Sequence, residues 1–174
     1  SLFYRDTEVA IDKVLFQNEA TPKMVNIENI NFYGFEWGNL YVFDTESKKK
    51  QLLKSIQFNY SFLDANKNEV GYQSFYTLNY LAHKFSLGFT TIKYKNISLS
   101  GFYIFKKRQG TYQLDAQSPS QLYAPIHLID ARLQFAKSRY SLSLDALNLL
   151  NRTYYEFGFV ELPKRWLSLN LTIK

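Results

Sequence analysis

The sequence predicts an all-β fold, an antiparallel transmembrane β-barrel segment of about eight strands. Three observations carry this. Apolar and polar residues alternate with period two along successive segments of the chain. Those segments approach the length of about 9 to 11 residues that a tilted membrane strand needs, about twice that of an ordinary strand. Tyr (14), Phe (15) and Trp (2) make up 18% of the 174 residues, and aromatic side chains favour half-buried pleated surfaces.

The first segment, 2–16, sets Asp6, Glu8 and Asp12 on one side and Val9, Ile11 and Leu15 on the other. Residues 31–43 set Tyr33, Phe35, Trp37, Tyr41 and Phe43 against Gly34, Glu36 and Gly38. Residues 52–62 oppose Ile56, Phe58, Tyr60 and Phe62 to Ser55, Gln57, Asn59 and Ser61, with Lys54 on the apolar side near the strand start. Segments near 80–94 and 96–107 alternate less cleanly. In 129–135, Ile129, Ala131, Leu133 and Phe135 oppose Asp130, Arg132 and Gln134. In 140–146, Tyr140, Leu142, Leu144 and Ala146 oppose Ser141, Ser143 and Asp145. The last segment opposes Leu167, Leu169, Leu171 and Ile173 to Ser168, Asn170 and Thr172.

The links alternate in length. Those near 44–50, 94–97 and 137–140 are short, and those near 17–25, 64–79, 108–125 and 150–163 are longer. Short turns at one end and long loops at the other are the layout of an outer-membrane barrel. With the short turns in the periplasm, the last strand runs inward, Lys174 ends in the periplasm, and Tyr41, Phe43, Tyr94, Tyr140 and Trp166 are candidates for aromatic girdles. A soluble eight-stranded barrel holding a ligand shows the same alternation with the apolar face inward. Strand length and apolar faces heavy in Phe, Tyr and Leu, which would overfill a small interior, favour the membrane. A complete eight-stranded membrane barrel with a structural or adhesive role also fits an even strand count.

Composition narrows the remaining classes. The length suits one domain, 1–174. No apolar run is long enough for a membrane helix, so any crossing uses strands. With no cysteine there are no disulfides or thiolate metal sites. The opening SLFYRD has no initiator Met and no leader, and a strand pattern starts at once, which reads as a chain begun mid-protein. The net charge of +6 gathers at Lys48–Lys49–Lys50, Lys106–Lys107–Arg108 and Lys164–Arg165. Each cluster lies at a strand end, where solvated caps facing lipid headgroups are the natural reading and nucleic acid is not.

Catalysis is not expected. The two histidines, His83 and His127, stand in no spacing that suggests a metal site or a Ser-His pair, and no carboxylate pair is singled out as acid and base. Neither enzyme activity nor a cofactor is expected. By alternation Glu8, Asp12, Glu36, Arg132 and Asp145 face a polar lumen, since a charge facing lipid costs about 2 to 4 kcal/mol near the midplane. The long links hold Tyr72, Tyr76, Arg108, Tyr112 and Gln113.

The stretch Asp145-Ala146-Leu147-Asn148-Leu149-Leu150-Asn151, the pair Tyr154-Tyr155 with Gly158, and Leu162-Pro163-Lys164-Arg165-Trp166 before the last alternating strand resemble the TonB-dependent outer-membrane receptors. Within that family the resemblance is to Bacteroidetes-type receptors of the cobalamin-transporter kind. Upstream, Ile11-Asp12-Lys13-Val14, Val25-Asn26-Ile27, Tyr33-Gly34-Phe35-Glu36 and Tyr80-Leu81-Ala82-His83-Lys84 are similar to family strands in the same order. Leu150 stands where the family usually has Phe, Lys164 where it has Gly, and Thr172-Ile173-Lys174 where it ends in an aromatic residue. The resemblance implies the C-terminal part of a larger barrel of about 22 strands, with its N-terminal plug domain and the TonB-engaging segment lying before Ser1. It implies active import of a scarce nutrient such as cobalamin or a siderophore, energised through TonB, in the bacterial outer membrane. Outer loops and plug apex together would hold the ligand, with Tyr72, Tyr76, Arg108 and Tyr112 as the candidate loop contacts.

Overall fold

The computed structural model describes residues 1–17, 19–44, 52–113, 118–158 and 160–173. The Lys48–Lys50 cluster and the terminal Lys174 lie outside them. In chain order the strands are β1 (Leu2–Phe16), β2 (Lys23–Val42), β3 (Leu53–Ala65), β4 (Tyr72–Ser74), β5 (Leu81–Thr91), β6 (Ile97–Arg108) and β7 (Thr111–Tyr112). They continue with β8 (Gln121–Leu122), β9 (Ile126–Ala136), β10 (Tyr140–Leu147), β11 (Tyr155–Phe157), β12 (Val160–Glu161) and β13 (Trp166–Ile173). No helix occurs among the described residues. The chain is all-β.

One antiparallel sheet has the order β13-β10-β9-β6-β5-β3-β2-β1-β4, so each of the eight long strands pairs with the next long strand in the chain. Local pairing of this kind closes short loops and lets one hydrophobic pattern set every register. The sheet is open: β1 and β13 do not pair, and β4 covers β1 only at Val14–Phe16. Connections 17–22, 66–80, 109–125 and 148–165 leave the sheet at one end, the loop end, and 43–52, 92–96 and 137–139 at the other, the turn end; the expected split by length is not clean, because 17–22 is shorter than 43–52. The long connections contain the short strands β4, β7, β8, β11 and β12, which the alternation did not reveal because two or three residues cannot display a period. β2 begins at Lys23, inside the link expected over 17–25, because 23–30 pair with β1.

The two faces differ in chemistry. One carries rows of rings across neighbouring strands, with Trp37 on Phe58 at 4.8 Å, Phe58 on Phe85 at 5.1 Å and Phe85 on Tyr103 at 5.9 Å. Cross-strand aromatic contacts of this kind contribute about 0.5 to 1.5 kcal/mol each beyond area burial. The same face continues through Leu133, Leu144 and Leu169, which share one ladder row. Much of it is open: Trp37 is 58% exposed, Leu169 69% and Leu171 63%. The other face carries Glu36, Ser61 and Lys84 in one row and Arg132, Asp145 and Ser168 in another.

Besides register shifts at Leu53–Ser55 and Leu81–His83, alternation is broken near the loop end of β1 and β2. Ile27 and Ile30, three residues apart, join one buried cluster with Phe32, although strict alternation would put the two isoleucines on opposite faces. Between them Asn29 adopts φ 53°, and the ladder passes from Thr7↔Ile30 to Val9↔Glu28 without a Glu8–Asn29 pair. Asn tolerates this left-handed conformation better than other residues with a Cβ. The face switch separates two residues that the sequence placed together: Asp12 shares the polar face, whereas Asp6, opposite Asn31 and two residues from Tyr4, shares the aromatic one.

The turn end is built by local rules. Tyr94 and Ile97 exchange two backbone hydrogen bonds of 2.8 and 2.9 Å around Lys95 (φ 48°) and Asn96 (φ 70°). This is a two-residue hairpin of the type whose twist matches that of the flanking strands.

Candidate ligand-binding end of the sheet

At the loop end the connection 66–80 folds back over the polar face. Leu78, Tyr80 and Ala82 pack with Ile27, Ile30, Phe32 and Ala65, and Tyr80 meets Phe32 edge-on at 5.8 Å. This is the main apolar cluster of the chain, and it sits where the lower sheet face is polar. Burial of the Tyr80 phenol, with the Asp64 carboxylate beside it, pushes its pKa up.

Two carboxylates fasten the cover. Asp12, fully buried on β1, accepts from Ser74 Oγ, from Tyr76 N at 3.1 Å and from Thr77 N at 3.3 Å. Ser74 Oγ in turn accepts from Leu78 N at 2.9 Å. Glu69 accepts from Ser74 N at 2.7 Å with one oxygen and from Thr111 Oγ1 at 2.9 Å with the other, joining the 66–80 connection to β7. Burial raises the Glu69 carboxyl above its usual range, against the lowering effect of these bonds.

The next two connections interlock through tyrosines. Tyr112 stacks on Tyr123 at 4.8 Å and on Tyr155 at 5.4 Å. Burial raises the Tyr112 phenol, the neighbouring Tyr155 and Tyr123 adding to the effect. Tyr123 Oη accepts from Asn79 Nδ2 at 2.9 Å and from Gly158 N at 3.0 Å, so one hydroxyl joins three connections. Lys106 on the polar face pairs with Glu156 of β11.

Between 15–17, Glu19, 69–73, 111–113 and 118–122 lies a cavity of about 530 Å³ lined by Glu19, Glu69, Tyr72, Gln73, Thr111 and Gln113 among others. Two buried acceptor atoms on its lining residues, Gln73 Oε1 and Glu19 Oε2, have no hydrogen-bond partner among the described residues. Gln73 spends its amide nitrogen on Thr111 O at 3.0 Å, and Glu19 its other oxygen on Lys23 at 2.7 Å. An unmatched buried acceptor is costly, and both atoms are closed off from solvent in this arrangement. A second cavity of about 500 Å³ lies under Tyr76, Thr77 and Tyr80 against Arg5, Phe32 and Leu63.

The residues singled out from sequence have separate fates. Tyr72 is half-buried against Phe16 at 5.9 Å and lines the first cavity. Tyr76 is 55% exposed, stacks on Phe157 at 6.0 Å and lines the second. Arg108 is held by Asn79, with Nε donating to Oδ1 at 3.1 Å and Nη2 to the carbonyl at 2.8 Å, and its guanidinium lies over Tyr123 at 5.7 Å. Tyr112 is buried in the ring stack. Arg108 and Tyr112 therefore shape the loop end, while Tyr72 and Tyr76 border open space.

Asp12 is a buried fastener, Glu8 an exposed residue at the irregular step of β1, and Glu36 an exposed carboxylate on the polar face. Arg132 and Asp145 come together: Arg132 Nε donates to Asp145, Nη2 donates to its second oxygen at 3.2 Å, and Asn170 Nδ2 donates to that oxygen at 2.8 Å. His83 and His127 each bond a tyrosine hydroxyl through Nδ1 at 2.8 Å, to Tyr60 and Tyr103 respectively, on the aromatic face. No cluster of metal-ligating residues occurs among the described residues. Glu19, Glu69 and Gln73 escaped sequence reasoning because the connections have no period to read.

The fold and this loop end define an open antiparallel meander with a polar, loop-covered face and an exposed apolar one. No family model, curated protein or solved structure matches the chain.

Proposed function

We propose that this chain is part of the wall of an outer-membrane β-barrel receptor that imports a scarce nutrient, cobalamin or a siderophore leading the candidates, and is energised through TonB. The observation that carries the reading is the pairing of an exposed aromatic and leucine face with a polar face whose loop end is covered by its own connections. Soluble monomers rarely leave so large a contiguous apolar face in water. In lipid it is the expected outer surface, and the polar face then borders an aqueous interior.

The open edges of β1 and β13 favour a larger barrel over a small complete one, because unpaired backbone groups are not tolerated in hydrocarbon. The loop-end cavity lined by Glu19, Glu69, Tyr72 and Gln73 is the place where such a receptor would meet its nutrient from outside. The plug and the segment that meets TonB would be other parts of the same polypeptide, as the family resemblance implies.

The test is an immunoblot of outer-membrane fractions with antibody raised against this chain, paired with nutrient uptake in a strain lacking the protein. The expected result is a band several times heavier than 20.5 kDa and loss of TonB-dependent accumulation of one nutrient. A band near 20.5 kDa with unchanged uptake overturns the reading.

A further inference from the structure

The two ends of the sheet differ in charge. At the turn end, the described residues of the three connections carry four basic side chains, Lys93, Lys95, Lys137 and Arg139, against one acidic, Asp44. Lys54 adds a cation at the start of β3. The described residues of the four loop-end connections carry four basic and four acidic side chains. The described turn-end connections are thus net basic, while further cations of the chain stand at the loop-end strand termini, among them Lys23, Lys107 and Arg108.

All five cations are exposed, and none of them forms an ion pair among the described residues. Like charges on one rim repel unless an anionic surface compensates them. Their neighbours are aromatic: Lys95 Nζ lies 5.4 Å from the Tyr94 ring and Lys137 Nζ 6.0 Å from that of Phe135. Phe135 in turn is 6.1 Å from Tyr140, and Tyr41 meets Phe43 edge-on at 4.7 Å. Tyr41 and Tyr94 are 62% and 70% exposed. Cations beside exposed rings match a bilayer interface, where rings rest at headgroup depth and cations at the phosphates. The tight Lys95-Asn96 hairpin fixes where its cation stands.

We infer that the turn end is a docking rim for anionic phospholipid headgroups of the phosphatidylglycerol type. The cations are spread over separate connections with no enclosed polar pocket between them, which suits a charged plane better than a single small anion. This inference rests on the membrane reading above and adds a lipid preference to it.

The native protein, purified in detergent, is mixed with vesicles of phosphatidylcholine alone and of phosphatidylcholine with added phosphatidylglycerol. A variant carrying Lys93→Gln, Lys95→Gln, Lys137→Gln and Arg139→Gln is compared. Wild type and variant are expected to insert equally into the neutral vesicles, which also shows that the variant folds. Phosphatidylglycerol should raise wild-type partitioning by at least about tenfold, given about fivefold per cation near an anionic surface. That gain should vanish in the variant and at about 1 M salt. Insertion into neutral vesicles with no gain from phosphatidylglycerol, or an equal gain in the variant, overturns the rim and leaves the membrane reading standing. Salt-sensitive binding to anionic vesicles without insertion into either kind upholds the rim and overturns the membrane reading.

Discussion

Single carboxylates at the loop end illustrate how position decides the role of a charge. Asp12 reads from sequence as one of several acids on a polar strand face, yet its environment makes it the anchor of the 66–80 connection. Hydrogen bonds to a charged acceptor are worth about 1.5 to 3 kcal/mol, and their donors here would be left buried. Asp12→Ala should therefore speed amide hydrogen exchange at Tyr76 and Thr77 on the order of a hundredfold, leaving exchange at the Leu142 and Leu169 amides unchanged. Glu69 supplies a pH dependence. Burial raises its carboxyl above the ordinary 4.5, so the folded chain keeps a proton that the unfolded chain has released. Below the ordinary value both states are protonated and nothing is lost; as pH rises through the folded value, the buried charge weakens the cover. Proteolysis within 66–80 should accordingly quicken from pH 4.5 upward until Glu69 has fully ionised. In Glu69→Gln the slope should flatten. A slope of the opposite sign contradicts the assignment.

Among the elements, close contacts between strands set the tolerance to change. A Cβ at Gly34 would strike the carbonyl oxygen of Phe62 on the neighbouring strand and the Phe3 ring. Backbone cannot yield as a side-chain tip can, so Gly34→Ala should destabilise the β2–β3 ladder by about 1 to 3 kcal/mol, read as a lower urea midpoint for the refolded chain. Gly88, whose added Cβ would meet only the Phe102 ring, at 2.6 Å, should tolerate alanine better. The strands themselves were legible in the sequence where one face is wholly apolar. β9 from Ile129 onward, β10 and β13 follow the alternation residue by residue, and the meeting of Arg132 with Asp145 follows from their shared parity on paired strands. In β1 and β2 the pattern misleads, because the break at Asn29 leaves Asp12 on the polar face and puts Asp6 on the aromatic one without any change in composition. The loop-end cavity was not legible, since Glu19, Glu69 and Gln73 converge through the path of long connections and a glutamate in a loop looks like any solvated charge.

At the scale of the molecule, two asymmetries align: apolar against polar face, and connections folded back over the polar face at one end against net basic described connections at the other. Each has its own cause in the sequence, and under the proposed membrane reading together they would orient the sheet with respect to a bilayer. The central claim is that the face of Leu144, Leu169 and Phe85 meets lipid while that of Asp145 and Asn170 meets water. Substitution by charge tests this in cells: Leu169→Arg should sharply reduce the folded protein recovered in outer membranes, by about 2 to 4 kcal/mol of depth-dependent cost, whereas Asn170→Arg should be tolerated. Direct contact is more telling still. Because the chain has no cysteine, Leu169→Cys and Asn170→Cys each create a single labelling site on adjacent residues of one strand. With an environment-sensitive fluorophore at each position and the protein in bilayers, a quencher carried on the lipid tails should extinguish the label at 169 and spare the label at 170. Equal quenching at both positions, or stronger quenching at 170, would contradict the orientation on which the account rests.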